Sequence, residues 1–296
     1  MNHYQKYLSS FLLAIAAFAA LLYNPSTGFA TAVAPNLNTA ESLAVLAGTA
    51  VTCTNSTVVG DVGVYPGTAI TQTNCTIAGT VHAADPVAQQ AQNDFLTAYA
   101  ALQSIPCDQT LTGTLAGVTL TPGVYCFDAA ATLTGLLTLD AQGDANALWN
   151  FKIGTGGTGA LTGTNFSVVM ANGAQPCNVT WWVAEAATMT TSDLKGSILA
   201  GAAITVTGGT LNGDLLAKAA VTMTGASVIG CETLSVSSPC KRHGHHKMKE
   251  HKKCNQGVGN GPEGCDPGNS NQGNPGRSND ERGGTPGRPG RQGGNK

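Results

Sequence analysis

Residues 47–64 read AGTAVTCTNSTVVGDVGV and residues 200–217 read AGAAITVTGGTLNGDLLA, and the two segments align without a gap. Val51 falls on Ile204, Thr52 on Thr205, Thr54 on Thr207, Thr57 on Thr210, and Gly60-Asp61 on Gly213-Asp214. Locally the unit recurs as Gly196, Gly213 and Gly230, 17 residues apart. A unit this short cannot bury its own apolar side. It must stack on copies of itself, and that requirement limits the fold more than any single motif does.

Within a unit the alternation has period two. Ile204 and Val206 oppose Thr205 and Thr207, and Val221 and Met223 oppose Thr222 and Thr224, the pattern of half-buried strands. A glycine corner (Gly208-Gly209, Gly225) precedes the next short strand, such as Thr210-Leu211-Asn212. Three short strands in 17 residues make one turn of a three-sided parallel β-solenoid. The third side is apolar at successive positions: Val45-Leu46-Ala47, Trp182-Val183-Ala184, Ile198-Leu199-Ala200 and Leu215-Leu216-Ala217. Such a strand is covered on both faces. The cover is a helix predicted over residues 86–105, with Asp85 as N-cap, Pro86 at the first position and Val87, Ala91, Phe95, Ala98, Tyr99 and Leu102 on one stripe. Residues 110–175 keep the strand-and-corner texture without a clean period and are read as further coils with irregular corners. The fold class is therefore mainly β, a parallel β-solenoid with one long helix.

Charge divides the chain into regions. Residues 31–236 hold three lysines, no arginine and twelve acids, whereas residues 237–296 hold eleven basic residues and five acids. An arginine-free, acidic folded part has no phosphate-gripping surface, which argues against nucleic acid as a partner. At the amino end, Lys6, an apolar run over residues 11–23 and small residues up to Ala30 read as an export signal over residues 1–30, with cleavage after Ala30 or Ala32. The nine cysteines of an exported chain suggest disulfides. Proximity in sequence favours Cys53 with Cys75 and Cys107 with Cys126. Residues 237–296 are too poor in apolar side chains to offset their ordering entropy, and disorder is predicted for them. Cys240, His243, His245, His246, His251 and Cys254 fit no closed zinc site, so that stretch is read as a solvated basic linker able to rest on an acidic envelope polymer.

Catalytic groups are sparse. Residues 31–236 contain one histidine, His82, and no arginine, so neither a histidine-based triad nor an arginine clamp can form there. Asp61 and Asp214 occupy equivalent repeat positions after a glycine and read as corner-stabilising groups rather than a glycosidase pair. Asp140 and Asp144 read as turn residues. No catalytic residue, metal site or cofactor is assigned. Threonine is what this region has in excess: 34 of 206 residues. β propensity explains part of that, but not why outward positions are Thr-x-Thr at Thr52/Thr54, Thr205/Thr207 and Thr222/Thr224 instead of Lys or Glu. Met189 is expected to interrupt this threonine file.

Stacked coils repeat at about 4.8 Å, and alternate side chains on a strand sit about 6.6 Å apart. Threonines on those spacings form a stiff lattice of methyls, which cage water, and hydroxyls, which pin the cages. Ordered water is the ligand such a surface implies.

Further strings carry a family likeness: Ala44-Val45-Leu46-Ala47-Gly48, Gly60-Asp61-Val62-Gly63-Val64, Pro66-Gly67-Thr68-Ala69, Leu120-Thr121-Pro122-Gly123-Val124-Tyr125, residues 137–144 (LTLDAQGD), Asn172-Gly173-Ala174 and Cys177-Asn178-Val179. Over residues 38–235 the chain resembles the microbial secreted ice-binding proteins of the DUF3494 type. The resemblance implies a right-handed, discontinuous β-solenoid of triangular cross-section with a helix along it. It also implies one flat ice-binding face, on which some members carry a Thr-(Ala/Gly)-x-(Thr/Asn) motif. Thr162-Gly163-Thr164-Asn165 and Thr207-Gly208-Gly209-Thr210 match that motif, Thr224-Gly225-Ala226-Ser227 nearly matches, and Thr54-Asn55-Ser56-Thr57 departs at its second position.

The residues expected to contact ice are Thr52, Thr54, Thr57, Thr162, Thr164, Thr205, Thr207, Thr210, Thr222, Thr224 and Ser227, in a secreted monomer that limits ice growth and recrystallisation. A surface adhesin or matrix protein using the solenoid as a spacer is the alternative. A glycan-cleaving β-helix enzyme is disfavoured by the missing arginines.

Overall fold

The computed structural model describes residues 32–231. The leader expected at 1–30 and the tail at 237–296, with its His/Cys cluster, lie outside the described residues. The chain is a stack of parallel coils. One flank is a nine-stranded sheet with the order Val81–Ala83, Asp61–Val64, Leu43–Ala47, Leu215–Ala217, Ser197–Ala200, Val179–Val183, Trp149–Ile153, Gly123–Phe127, Gln109–Thr110. The other two flanks form a second parallel sheet bent lengthwise at a corner. Strands Ala131–Asp140, Leu161–Ala171, Ala187–Lys195 and Ile204–Asn212 run round that corner without a break. Elsewhere separate strands meet at it, Ala50–Thr54 with Thr57–Val59, Ala69–Thr73 with Thr76–Ala78, and Val221–Thr224 with Ser227–Ile229.

Spatial order differs from chain order. The first described strand, Leu43–Ala47, lies in mid-stack; from it the chain winds to one end at Val81–Ala83, and then crosses to the far end through helix α1, Pro86–Gln103, about 27 Å long at 1.5 Å per residue. From Gln109 it winds back until Leu215–Ala217 pairs with Leu43–Ala47. This seam joins residues 170 apart in sequence: Ala226 N–H donates to Ser56 Oγ at 3.0 Å, and the same hydroxyl donates to Thr54 O at 2.8 Å.

The physics of each flank follows from its side chains. On the first flank every residue of Leu43–Ala47, Gly123–Phe127, Trp149–Ile153 and Val179–Val183 is buried. Alternate residues point to opposite sides of the sheet. Leu46, Trp182, Leu199 and Leu216 meet α1 through Ala91, Phe95, Tyr99 and Leu102. Tyr99 OH donates to Val183 O at 2.9 Å and Trp182 Nε1 donates to Tyr99 O at 3.0 Å, so the polar tips of both aromatics are satisfied within the contact. Asp85 caps α1 through Ala88 N at 2.8 Å. The buried stripe begins at Ala88, and Val87, expected on it, is 44% exposed because the first helical turn places Ala88, three residues before Ala91, over the sheet. At the other end of α1, Lys152 donates to the orphan carbonyl of Gln103, the last helical residue, and to that of Ile105 just beyond it.

The core is widest where aromatics stack from coil to coil. Tyr125 lies on Phe151 (5.6 Å between centroids), Phe151 lies on Trp181 (4.0 Å), and Phe166 meets Trp181 edge-on (6.1 Å). Towards the other end it narrows to Val45, Val51, Val58 and Val62. The glycine repeat has a steric cause: a Cβ on Gly213 would lie 2.2 Å from the Gly196 carbonyl oxygen of the adjoining coil. The aspartates that follow these glycines hold the next coil, with Asp61 accepting from Thr80 N at 2.7 Å and Asp214 from Cys231 N at 2.9 Å. Disulfides Cys53–Cys75 and Cys107–Cys126 form as sequence proximity favoured, and Cys177–Cys231 joins the remaining two cysteines of the solenoid.

Candidate functional site

The second flank carries one pentapeptide pattern in seven coils. In spatial order the segments read AITQT (69–73), AVTCT (50–54), AVTMT (220–224), AITVT (203–207), AATMT (186–190), ALTGT (160–164) and AATLT (130–134). The second and fourth residues face the core, as Val51, Cys53, Ile204, Val206 and Met223 do at 3% exposure or less, except in the end coil, where Ile70 is half-buried and Gln72 exposed. The first, third and fifth face outward.

Backbone pairing fixes the register. Thr71, Thr52, Thr222, Thr205, Thr188, Thr162 and Thr132 form one file of successive partners. Thr73, Thr54, Thr224, Thr207, Thr190 and Thr164 form a second, and Thr134 follows where the register shifts between Leu133 and Gly135. The alanines make a narrower third file, seen directly in the pairing of Ala50 with Ala69. Seven coils at about 4.8 Å span about 29 Å, on a strand width of about 13 Å.

The lattice contains no charged residue. The three lysines among the described residues are engaged elsewhere: Lys152 at the end of α1, Lys195 with Asp193 at 2.8 Å, and Lys218 over the Tyr99 ring at 3.8 Å. Asp193 and Lys195 stand on the third flank. Burial opposes ionisation of Asp193, but hydrogen bonds from Lys195 and Thr210 outweigh it and hold the carboxyl below its ordinary range. A surface with fixed charge binds liquid water strongly and in orientations that vary with each ion, whereas the second flank offers only methyls and hydroxyls in β-branched, stiff side chains. It is also free of the helix, which covers the first flank.

Of the eleven residues expected to form the site, Thr52, Thr54, Thr162, Thr164, Thr205, Thr207, Thr222 and Thr224 lie on this lattice. Thr57, Thr210 and Ser227 lie past the corner on the third flank, where Thr57 pairs with Ser227 and Ser227 with Thr210. Met189 does not interrupt the threonine files. It is 2% exposed and points inward, while Thr188 and Thr190 carry the files on either side of it. Room for its side chain comes from Gly163 in the adjoining coil, where a Cβ would lie 2.2 Å from Met189 Cε.

The four-residue motif also needs correcting. Thr207-Gly208-Gly209-Thr210 straddles the corner, with Gly208 at φ 65°, whereas Thr162-Gly163-Thr164-Asn165 sits two residues earlier, with Gly163 in the core. The structural counterpart of Thr207-Gly208-Gly209-Thr210 in that coil is Thr164-Asn165-Phe166-Ser167. Asn55, which departs from the motif, has φ 49°, so it does at the corner what Gly208 does.

Sequence reasoning missed Thr71, Thr73, Thr132, Thr134, Thr188 and Thr190. The signal was present as Ala-x-Thr-x-Thr, but the segments start at 50, 69, 130, 160, 186, 203 and 220, and only the last two steps have the 17-residue period.

Three comparisons bear on this site. A profile of the family described as Ice-binding-like matches residues 45–229. An "Ice-binding protein" of Nostoc sp. (strain HG1) is 40% identical over 197 residues, spanning 65% of this chain and 70% of that protein. Among solved structures, an ice binding protein from an Antarctic Biological Consortium superposes with a TM-score of 0.64 at 35% identity, over 69% of this chain and 95% of the other. That of the Antarctic ascomycete Antarctomyces psychrotrophicus does so with a TM-score of 0.63 at 37% identity, over 67% and 98%.

Proposed function

Because the chain belongs to the Ice-binding-like family, a non-enzymatic one, we propose that it binds ice through the Ala-x-Thr-x-Thr lattice of its second flank. One observation carries this reading: two threonine files, uncharged and unobstructed, repeating at the coil spacing in register over seven coils in the first file and six in the second. Water over such a lattice is caged by methyls and anchored by hydroxyls in positions set by the protein. A growing crystal can incorporate that layer without first disordering it, so little entropy remains to be lost at contact. Adsorbed molecules force the ice front to bulge between them, which slows growth and the coarsening of small crystals.

Three disulfides in the described domain accord with an oxidising, extracellular setting. Secretion through the leader at 1–30, with cleavage after Ala30 or Ala32, completes the reading, as does a monomer whose basic tail rests on an acidic envelope polymer.

The test is direct. Fluorescently labelled protein should coat a growing ice hemisphere, and purified protein should shape crystals and suppress recrystallisation. Thr205→Tyr, which places one bulky ring in the middle of the lattice, should reduce both activities severalfold while the far-ultraviolet circular dichroism stays unchanged. Bare hemispheres at high protein concentration would overturn the proposal. Undiminished activity in Thr205→Tyr would exclude this flank as the binding face.

A further inference from the structure

Three residues of the repeat, Thr57, Thr210 and Ser227, lie off the lattice yet keep its regularity. Beyond the corner, Thr76, Thr57, Ser227 and Thr210 are successive backbone partners in four adjacent coils. Their strand neighbours on the outer side include Val59, 37% exposed, and Ile229, which is half-buried. Thr57 Oγ1 donates to Ser227 Oγ at 3.2 Å, so neighbouring hydroxyls along this file orient one another.

The file ends sharply. In the next coil the same positions are Asp193 and Lys195, and Thr210 donates to Asp193. One charged coil therefore bounds the file, and beyond it the flank continues with Ser167 and Val169 and then with Leu136 and Thr138, among which Val169 and Leu136 are exposed.

Between the lattice and this file the chain turns through Asn74, Asn55, Gly225 and Gly208, at φ 49°, 49°, 64° and 65°. Two of these have no side chain, and the other two are tied together, Asn74 Nδ2 donating to Asn55 Oδ1 at 2.9 Å. Nothing bulky or charged stands on the ridge to separate the two surfaces.

We infer that ice is contacted by two facets meeting at this corner, the threonine lattice and the Thr76–Thr57–Ser227–Thr210 file, and that the second facet docks to a crystal plane different from the first. The inference rests on the ice-binding reading above. Two surfaces inclined to each other cannot both lie on one flat crystal plane. A rigid edge carrying ordered water on both sides fits either two plane orientations or the step where one layer of ice grows over another. Stiff threonines keep the entropic cost of either contact low. The occupant is ice and not a protein partner because the file continues the spacing of the lattice, about 4.8 Å from coil to coil, and carries no charge to select a partner.

The experiment is a comparison of coated single-crystal ice hemispheres, using the full secreted chain labelled with a fluorophore. Wild-type protein should coat two sets of orientations. Thr57→Arg, and separately Ser227→Arg, should lose one set, and Thr205→Tyr should lose the other. Thermal melting of each variant checks the fold, and two arginine variants are used so that misfolding of one leaves the other to decide. The inference is overturned if wild-type protein coats a single set, or if both arginine variants coat as wild type does while Thr205→Tyr loses its coating. Bare wild-type hemispheres would instead overturn the ice-binding reading itself.

Discussion

Each corner between the second and third flanks demands one residue in the left-handed region. Seven coils meet it with Asn74, Asn55, Gly225, Gly208, Thr191, Asn165 and Gly135. Six are glycine or asparagine, which enter that region at little cost. Thr191, at φ 50°, is β-branched and pays a steric penalty of about 1 kcal/mol or more. Replacing Thr191 by Asn should therefore raise stability by about 1 kcal/mol, or about 3 °C in melting temperature for a domain of this size. Thr191 is exposed at the corner, outside the threonine files, so ice shaping should be retained. A melting temperature unchanged or lowered in Thr191→Asn would show that the corner is not strained. The same scale explains Met189: a core methionine is accommodated because its neighbour across the coil, Gly163, has no Cβ, a pairing that becomes visible only once the coils are stacked.

At the scale of elements, helix α1 links the two ends of the stack, and its start depends on Asp85. The Ala88 amide, and after it His82, hold the Asp85 carboxyl below its ordinary value of 3.8. A carboxylate with a depressed folded-state pKa stabilises the fold fully above its unfolded-state value and loses that contribution as pH falls through the folded-state value. Asp85→Ala should thus lower the melting temperature at neutral pH, and the gap from wild type should close below pH 3.8. A gap independent of pH would mean that the side chain acts through packing and not as a charged cap. The helix itself was readable from Asp85-Pro86 and its apolar stripe. Its exact buried face was not, because a first-turn residue such as Val87 can face the sheet or solvent depending on where the helix is docked.

At the scale of the molecule, the N-terminal coils, residues 43–83, form a block that meets the last coils only at the seam. Hydrogen bonds such as Gly225 N to Thr54 O at 2.9 Å cross it, and among the described residues no disulfide does. That block has small side chains in its core, whereas coils 123–183 hold the aromatic stack. Native-state hydrogen exchange should therefore find the strands of residues 43–83 opening at lower free energy than those of 149–212. Equal protection throughout would show a single cooperative unit. The threonine lattice crosses this seam between Thr224 and Thr54, so its flatness depends on a contact between segments distant in the chain.

The sequence by itself determined that a short unit with period-two alternation must stack into a β-solenoid, that one side needs a helical cover, and that outward threonines replace charges. These are local properties, set by which side chains alternate and which corners tolerate glycine or asparagine. The tertiary structure alone decided which threonines share a face. Insertions and α1 scatter the seven Ala-x-Thr-x-Thr segments along the chain at unequal intervals, and the stacking order departs from the chain order. Register between strands is fixed by backbone pairing across those gaps, so the lattice exists only after the coils have been brought together.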